Sequence, residues 1–207
     1  SDIGLKVIDK SIYECLAPQV LVAGCGTGQH SIGTAARFEN CEVFAIDLSF
    51  SSLAYAKRKS EELEVKNIEY MQGDILALAK LGKQFDIIES SGVLHHMDDP
   101  MSGWKILTDI LKPGGLMKIG LYSELSRQDI MRIRSESAEE SSSFDRFKMR
   151  DFRDNLIKSD KEHHKQILQS PDFYSMSSIR DLLFHVKEHR FTLSKINNYL
   201  AELNLKF

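Results

Sequence analysis

Three glycines alternate in Gly24-Cys25-Gly26-Thr27-Gly28, directly after the apolar run Val20-Leu21-Val22-Ala23. Without Cβ atoms the backbone there can turn sharply and a ligand can lie against it, while the amides of a following helix point at that ligand. A dinucleotide fingerprint is G-x-G-x-x-G; here position 29 is Gln and position 31 is Ser, so only G-x-G-x-G is present. The same five residues also suit a plain strand-to-helix turn, so the loop needs a partner to acquire meaning. Asp47 supplies one. It closes the next apolar run at about the 20-residue interval at which open α/β sheets place a carboxylate on ribose hydroxyls, although an Asp there can equally cap a helix. Asp74, in Gly73-Asp74-Ile75-Leu76, is an acceptor for an exocyclic amine such as that of adenine, with Leu48 and Ile75 as apolar walls for a ring. These groups, at successive strand ends, point to a nucleoside-type cofactor.

Holding them together requires a strand that ends at each. Short apolar runs alternate with amphipathic stretches through residue 122, the pattern of βα units on a mostly parallel, doubly wound sheet. Strands are expected at Gln19–Ala23, Glu42–Ile46, Ile68–Met71, Phe85–Glu89 and Leu116–Tyr122. Helices are expected at Gln29–Glu39, from Ser49 or Ser51 to Leu63, and at Pro100–Leu111, where Lys112-Pro113-Gly114-Gly115 must break the last. From Ser126 to Lys165 about half the residues are charged. Ile130, Ile133, Phe144, Phe147, Phe152, Leu156 and Ile157 recur there at helical spacing, with a break at Ser141-Ser142-Ser143, so residues 123–190 read as a helical cap or lid inserted after the fifth strand. Residues 1–122 then form the cofactor-binding core. Residues 191–207 return to it with a helix capped by Thr192 and the start of a strand at Leu203–Phe207, so the chain reads as a piece of a longer protein.

Composition narrows the partners. With 207 residues, 42% hydrophobic and 28% charged, the chain can bury a core without disulfides or structural metal. Twenty-seven Lys and Arg against thirty Asp and Glu leave a charge of −3, which disfavours long nucleic acids and anionic membranes as partners. No apolar run approaches the roughly 18 residues that span a bilayer. Cys15, Cys25 and Cys41 lie far apart with no metal spacing, as in a reducing cytoplasm, the expected location.

Taken together, Val20 to Gly28, Ala45-Ile46-Asp47, Gly73-Asp74-Ile75, Phe85 to Glu89, Val93-Leu94-His95-His96-Met97 and Leu111-Lys112-Pro113-Gly114-Gly115 resemble, in order and spacing, the class I S-adenosylmethionine-dependent methyltransferases. The resemblance implies the Rossmann-like fold of that class and S-adenosylmethionine as cofactor. It places Gly24, Cys25, Gly26, Thr27 and Gly28 under the methionine part, Asp47 on the ribose and Asp74 at the adenine amine. Glu89, Ser90 and the Val93–His96 segment would line the floor and substrate side. Segments such as Gly120-Leu121-Tyr122-Ser123-Glu124 and Ser170-Pro171-Asp172-Phe173-Tyr174-Ser175 are similar to the methyltransferase domain that follows tetratricopeptide repeats in some bacterial proteins. Two departures stand out. Val22 occupies a position where the family commonly has an acid facing the cofactor amine, and the family's closing antiparallel strand pair is cut off at Phe207.

A base is needed only if the methyl acceptor must lose a proton, and imidazole suits that at neutral pH. His95 is expected to face the site as that base, with His96 turned into structure. His96, Tyr122, Tyr174, His185 and His189 are the expected substrate-side residues; the spacing of His185 and His189 would also suit a metal on a helix, but no metal is expected. His163-His164, in a charged run, reads as solvated. The acceptor is expected to be a small molecule. The alternatives are a protein recruited by an attached repeat region, a silent cofactor-binding module, and a nicotinamide-dependent oxidoreductase, which the absent third fingerprint glycine disfavours.

Overall fold

The computed structural model describes residues 15–38, 40–137, 146–184 and 187–207. Val20-Leu21-Val22-Ala23 offers no polar side chain to water, and it forms the buried body of β1 (Gln19–Ala23), every one of the four being at most 3% exposed. Such a strand must be covered on both faces and paired on both edges. It pairs in parallel with β2 (Glu42–Asp47) on one side and β4 (Phe85–Ser91) on the other. With β3 (Ile68–Gln72) and β5 (Leu111–Gly120) the order is β3-β2-β1-β4-β5, every pair parallel. The chain winds outward through β2 and β3, then crosses to β4 and β5. That reversal between β1 and β4 opens a crevice at the carboxyl ends of the strands. This is the doubly wound parallel sheet that the alternation of elements leads one to expect, in the Rossmann-like arrangement that the resemblance implies.

Helices α1 (Gln29–Arg37) and α2 (Phe50–Glu62) follow β1 and β2. Their buried positions Ala35 and Leu53 join Val20, Val22, Val43 and Ala45 in one core cluster. Each fully buried Val or Leu there contributes about 1.5–3 kcal/mol, enough to fix the register of β1 against β2. Ser49 caps α2 by accepting the Ser52 amide at 3.2 Å, and Asp99 caps α3 (Pro100–Asp109) by accepting that of Met101 at 3.0 Å. A 3-10 helix, Ile75–Leu81, follows β3; its run of seven is too short to announce itself by helical periodicity.

Lys112–Gly115, expected as a turn before the last strand, lies within β5 instead. Phe85 pairs with Leu111 and Ile87 with Leu116, so Asp86 alone faces the residues between Leu111 and Leu116 as a bulge. Gly114 adopts φ 76 there. The bulge is pinned by Lys112, whose Nζ lies 2.9 Å from both Asp86 carboxylate oxygens, while the Gln19 amide donates to Asp86 Oδ2 at 2.9 Å. Burial pushes the Asp86 carboxyl up, but the lysine and the amide outweigh it and hold the group below its ordinary range.

The chain divides into two compact units, one comprising the residues up to Leu121 with Tyr199–Phe207, the other Tyr122–Asn198. The second contains α4 (Gln128–Ser137), α5 (Arg146–Lys158), α6 (Glu162–Ile167) and α7 (Met176–Phe184). Within this unit Ile133, Leu156, Ile167, Phe173, Ile179 and Leu183 close a core. Phe147 and Ile157 stay exposed. Phe144 and Ser141-Ser142-Ser143 lie outside the described residues. Thr192 caps α8 (Leu193–Glu202) through the Lys195 amide at 3.1 Å. Asn204, at φ 55, ends that helix with the Leu205 amide on the Leu200 carbonyl at 2.8 Å, so residues 203–207 form a helix stop and not the start of a strand.

His163-His164 is not simply solvated. Both rings converge on Glu136, with Nε2 atoms 2.8 and 2.9 Å from its oxygens, Lys161 Nζ stands 2.8 Å away, and the His164 side chain is only 8% exposed. Lys161 first, then the two histidines, pull the Glu136 carboxyl down to about 2 against the effect of burial. Because the folded value is depressed, the contribution to stability is present above the unfolded carboxylate range and fades as pH falls from about 4.5 toward 2. Glu136→Gln is therefore expected to lower Tm at pH 7 and to approach the parent only near pH 2, as thermal melts at the two pH values will show. An equal loss at both pH values would assign Glu136 a packing role only.

Candidate functional site

The glycine loop is built by two collisions and one vacancy. A Cβ on Gly24 would run into Val93, and one on Gly28 would stand 2.7 Å from the Ala56 Cβ, so both glycines are dictated by packing at φ 78 and 90. Gly26, at φ 53, has nothing within 4 Å of its ideal Cβ position. Open space lies over bare backbone there, in the crevice between β1 and α1. The loop is tied down from β2. The Gly24 and Cys25 amides both donate to the Ile46 carbonyl at 2.9 and 2.8 Å, and the Gly26 amide donates to Asp47 Oδ2 at 2.8 Å.

Asp47 is thus a hinge post as well as a candidate ribose ligand. Its other oxygen, Oδ1, accepts the Ser49 amide at 2.8 Å. Each carboxylate oxygen can accept more than one donor, so the two amides fix the carboxylate without saturating it. Asp74 combines the two roles in the same way, its Oδ1 accepting the Leu76 amide at 2.9 Å and capping the 3-10 helix. The apolar walls are redistributed. Leu48 is 68% exposed and Leu76 49%, whereas Ile75, expected as a wall, is 6% exposed and sits in the core. The period of the 3-10 helix turns Ile75 inward and Leu76 outward.

Between β1 and β4 the crevice is lined by Val22, Gly24, His30, Glu89, Ser91 and Lys118. His30, Ser91 and Lys118 were not singled out from sequence, because a strand's last residues and a helix's first turn carry no periodic signal of the side they face. Glu89 reaches this wall and accepts the Thr34 hydroxyl at 3.0 Å. Ser90 does not. It is 1% exposed and donates to the Ala23 carbonyl at 3.1 Å, so the alternation of β4 puts its hydroxyl inside the sheet and Ser91 at the surface. Cys25 likewise contributes backbone only, its thiol being buried and raised to about 12, by burial first and then by the Asp47 carboxylate. The wide depression of about 490 Å³ bounded by Cys15, Pro18, Arg37, Phe38 and Cys41 lies at the opposite ends of β1 and β2, where parallel sheets do not place ligands.

The 3-10 turn Leu94–His96 reverses the burial expected of its two histidines. His95 is 0% exposed and His96 is half-buried, their rings edge to face with centroids 4.3 Å apart. Leu94 and His95 both pack inward, leaving His96 as the imidazole at the surface. The remaining expected substrate-side residues belong to the second unit. The Tyr122 hydroxyl donates to Asp181 at 2.8 Å, and burial followed by that carboxylate raises it to about 12. Tyr174 is exposed, its hydroxyl donating to the Leu168 carbonyl at 2.9 Å. His185 lies outside the described residues. His189 lies in a segment without helix, and the neighbouring Glu188 is engaged by Arg134 at 3.2 Å and Arg127 at 3.7 Å.

Residues 20–115 match the family described as methyltransferase domain. The chain is 36% identical over 122 residues to an uncharacterized protein of Synechococcus, covering 58% of this chain and 29% of that one. It is 28% identical over 194 residues to malonyl-(acyl-carrier protein) O-methyltransferase of Enterobacter lignolyticus, covering 90% of this chain and 73% of that one. Among solved structures, PKMT2 from Rickettsia typhi superimposes with a TM-score of 0.74 at 18% identity, over 90% of this chain and 38% of that one, a likeness of fold. No helix among the described residues is long and apolar enough to cross a membrane.

Proposed function

We propose that this chain, a class I S-adenosylmethionine-dependent methyltransferase domain, transfers the methyl group to a small-molecule acceptor seated beyond the carboxyl ends of β4 and β5. The observation that carries the cofactor half of this reading is the pairing of open backbone at Gly26 with carboxylates fixed at the ends of β2 and β3. A nucleoside laid across Asp47 and Asp74, with its ring against Leu48 and Leu76, directs the rest of the molecule over Gly26 toward β1 and β4.

When bound, S-adenosylmethionine supplies a methyl group on a positively charged sulfur, an electrophile open to in-line displacement. The chain's own work is to position and desolvate. Asp47 and Asp74 accept hydrogen bonds from the nucleoside, Gly26 gives it room, and His96 takes a proton from an acceptor that must lose one. Buried His95 holds the His96 ring by edge contact. The small-molecule acceptor is supported by a relative from Acinetobacter baylyi, 33% identical over 112 residues and named a ubiquinone biosynthesis O-methyltransferase, and by the balanced charge of the chain.

The test is incubation of the protein with methyl-labelled S-adenosylmethionine and a cell extract, followed by separation of small molecules from macromolecules. Label in the small-molecule fraction is the expected result. Label confined to protein would replace the acceptor class, and binding of S-adenosylhomocysteine with no label in any fraction would leave a silent cofactor-binding module.

A further inference from the structure

Glu89 makes no close ion pair with any side chain among the described residues. Its Oε2 accepts a neutral hydroxyl, that of Thr34 at 3.0 Å, and no ion pair joins it to a lysine, arginine or histidine among the described residues. Yet it is half-buried on the crevice wall with Val22, Gly24, His30, Ser91 and Lys118. Lys118 lines the same wall but makes no ion pair with Glu89 within 4.0 Å, so the half-buried carboxylate is left able to take a cation that a ligand brings. Glu89 is the parallel partner of Val22 on β1 and of Lys118 on β5, so the three side chains share one face of the sheet. Val22 is apolar and 3% exposed, and it cannot meet a cation. The carboxylate of this row therefore stands one strand over, on β4.

Resting on the reading above, we infer that Glu89 is the residue that binds the α-ammonium of the cofactor's amino-acid end, taking on β4 the part that an acid at position 22 of β1 would otherwise play. The strand order supports the assignment. With the nucleoside at the ends of β2 and β3, the far end of the ligand extends across β1 to β4. Glu89 Oε2 is steadied by Thr34, and Oε1 has no protein donor among the described residues.

Three ligands separate the possibilities. S-Adenosylhomocysteine carries the ammonium but a neutral sulfur, S-adenosylmethionine carries both the ammonium and a sulfonium, and methylthioadenosine carries neither. The test is calorimetric titration of each into the parent and Glu89→Gln proteins. The expected result is a ten- to hundredfold loss of affinity for S-adenosylhomocysteine with methylthioadenosine unchanged, the latter also showing that the variant is folded. Unchanged affinity for S-adenosylhomocysteine overturns the inference, and so does an equal loss for methylthioadenosine, which would mean that Glu89 acts by holding Thr34 and α1. A loss confined to S-adenosylmethionine would make Glu89 a reader of the sulfonium and also overturns it. Should the parent protein bind none of the three, the functional reading itself fails, and this outcome is distinct from the others.

Discussion

Asp47→Ala is expected to lower affinity for S-adenosylhomocysteine by ten- to a hundredfold, about 1.4–2.8 kcal/mol. Two losses add in the same direction. The first is the acceptor for ribose hydroxyls, a charge-assisted hydrogen bond typically worth about 1.5–3 kcal/mol. The second is preorganisation, because the same carboxylate holds the Gly26 amide at 2.8 Å and the Ser49 amide at 2.8 Å, so its removal frees the loop on which the ligand lies. Asp47→Asn separates them. An amide keeps one oxygen acceptor but turns its nitrogen, a donor, toward one of the two backbone amides, so it should relax the loop while retaining part of the ribose contact. Calorimetry with adenosine, S-adenosylhomocysteine and methylthioadenosine is the measurement. All three share the ribose and should weaken by a similar factor, in contrast to the selective loss expected for Glu89→Gln. Undiminished binding in Asp47→Ala would reject the ribose assignment and leave Asp47 a structural anchor of the loop.

What the residues announced, and what they concealed, follows from how many neighbours each decision involves. The five strands and the helices after β1, β2 and β4 were legible because a doubly buried parallel strand and a one-sided helix impose periods on their own sequence. The loop residues were legible for a similar reason, since Gly24 and Gly28 are fixed by contacts immediately above them, with Val93 and Ala56. The side a residue faces at an element's end was not. Ser90 against Ser91, Ile75 against Leu76 and His95 against His96 are adjacent pairs in which one turns in and the other out, and the choice depends on where a strand or a 3-10 turn stops. The Lys112–Gly115 bulge was hidden because its turn signal is genuine; only the Asp86–Lys112 pair and the pairing of Leu111 with Phe85 keep it inside the strand. The charged stretch after Tyr122 read as helices from the spacing of its apolar positions, but which of them meet in one core was hidden, since that depends on how four helices come together.

That dependence on stopping points gives the histidine pair its sharpest consequence. His95→Ala is expected to destabilise the protein by about 2–4 kcal/mol, the range for removing a large, fully buried side chain from a packed interior, read as a fall in Tm or in the denaturant midpoint. His96→Ala, at a half-buried position, should change stability by a few tenths of that while lowering kcat for an acceptor that loses a proton by about 100-fold or more. Rates alone do not separate the two, because His95 packs edge to face on His96 at 4.3 Å and its loss lets the neighbouring ring move. The pH profile does. If His96 accepts the proton, turnover falls on the acid side as the imidazole becomes charged, and that limb disappears in His96→Ala. A His95→Phe variant, which refills the space, should keep the limb and recover most of the stability, since its part is to position. Loss of the acid limb in His95→Phe with retention in His96→Ala would transfer the proton acceptor to the buried ring, which would then have to be uncovered when the acceptor binds.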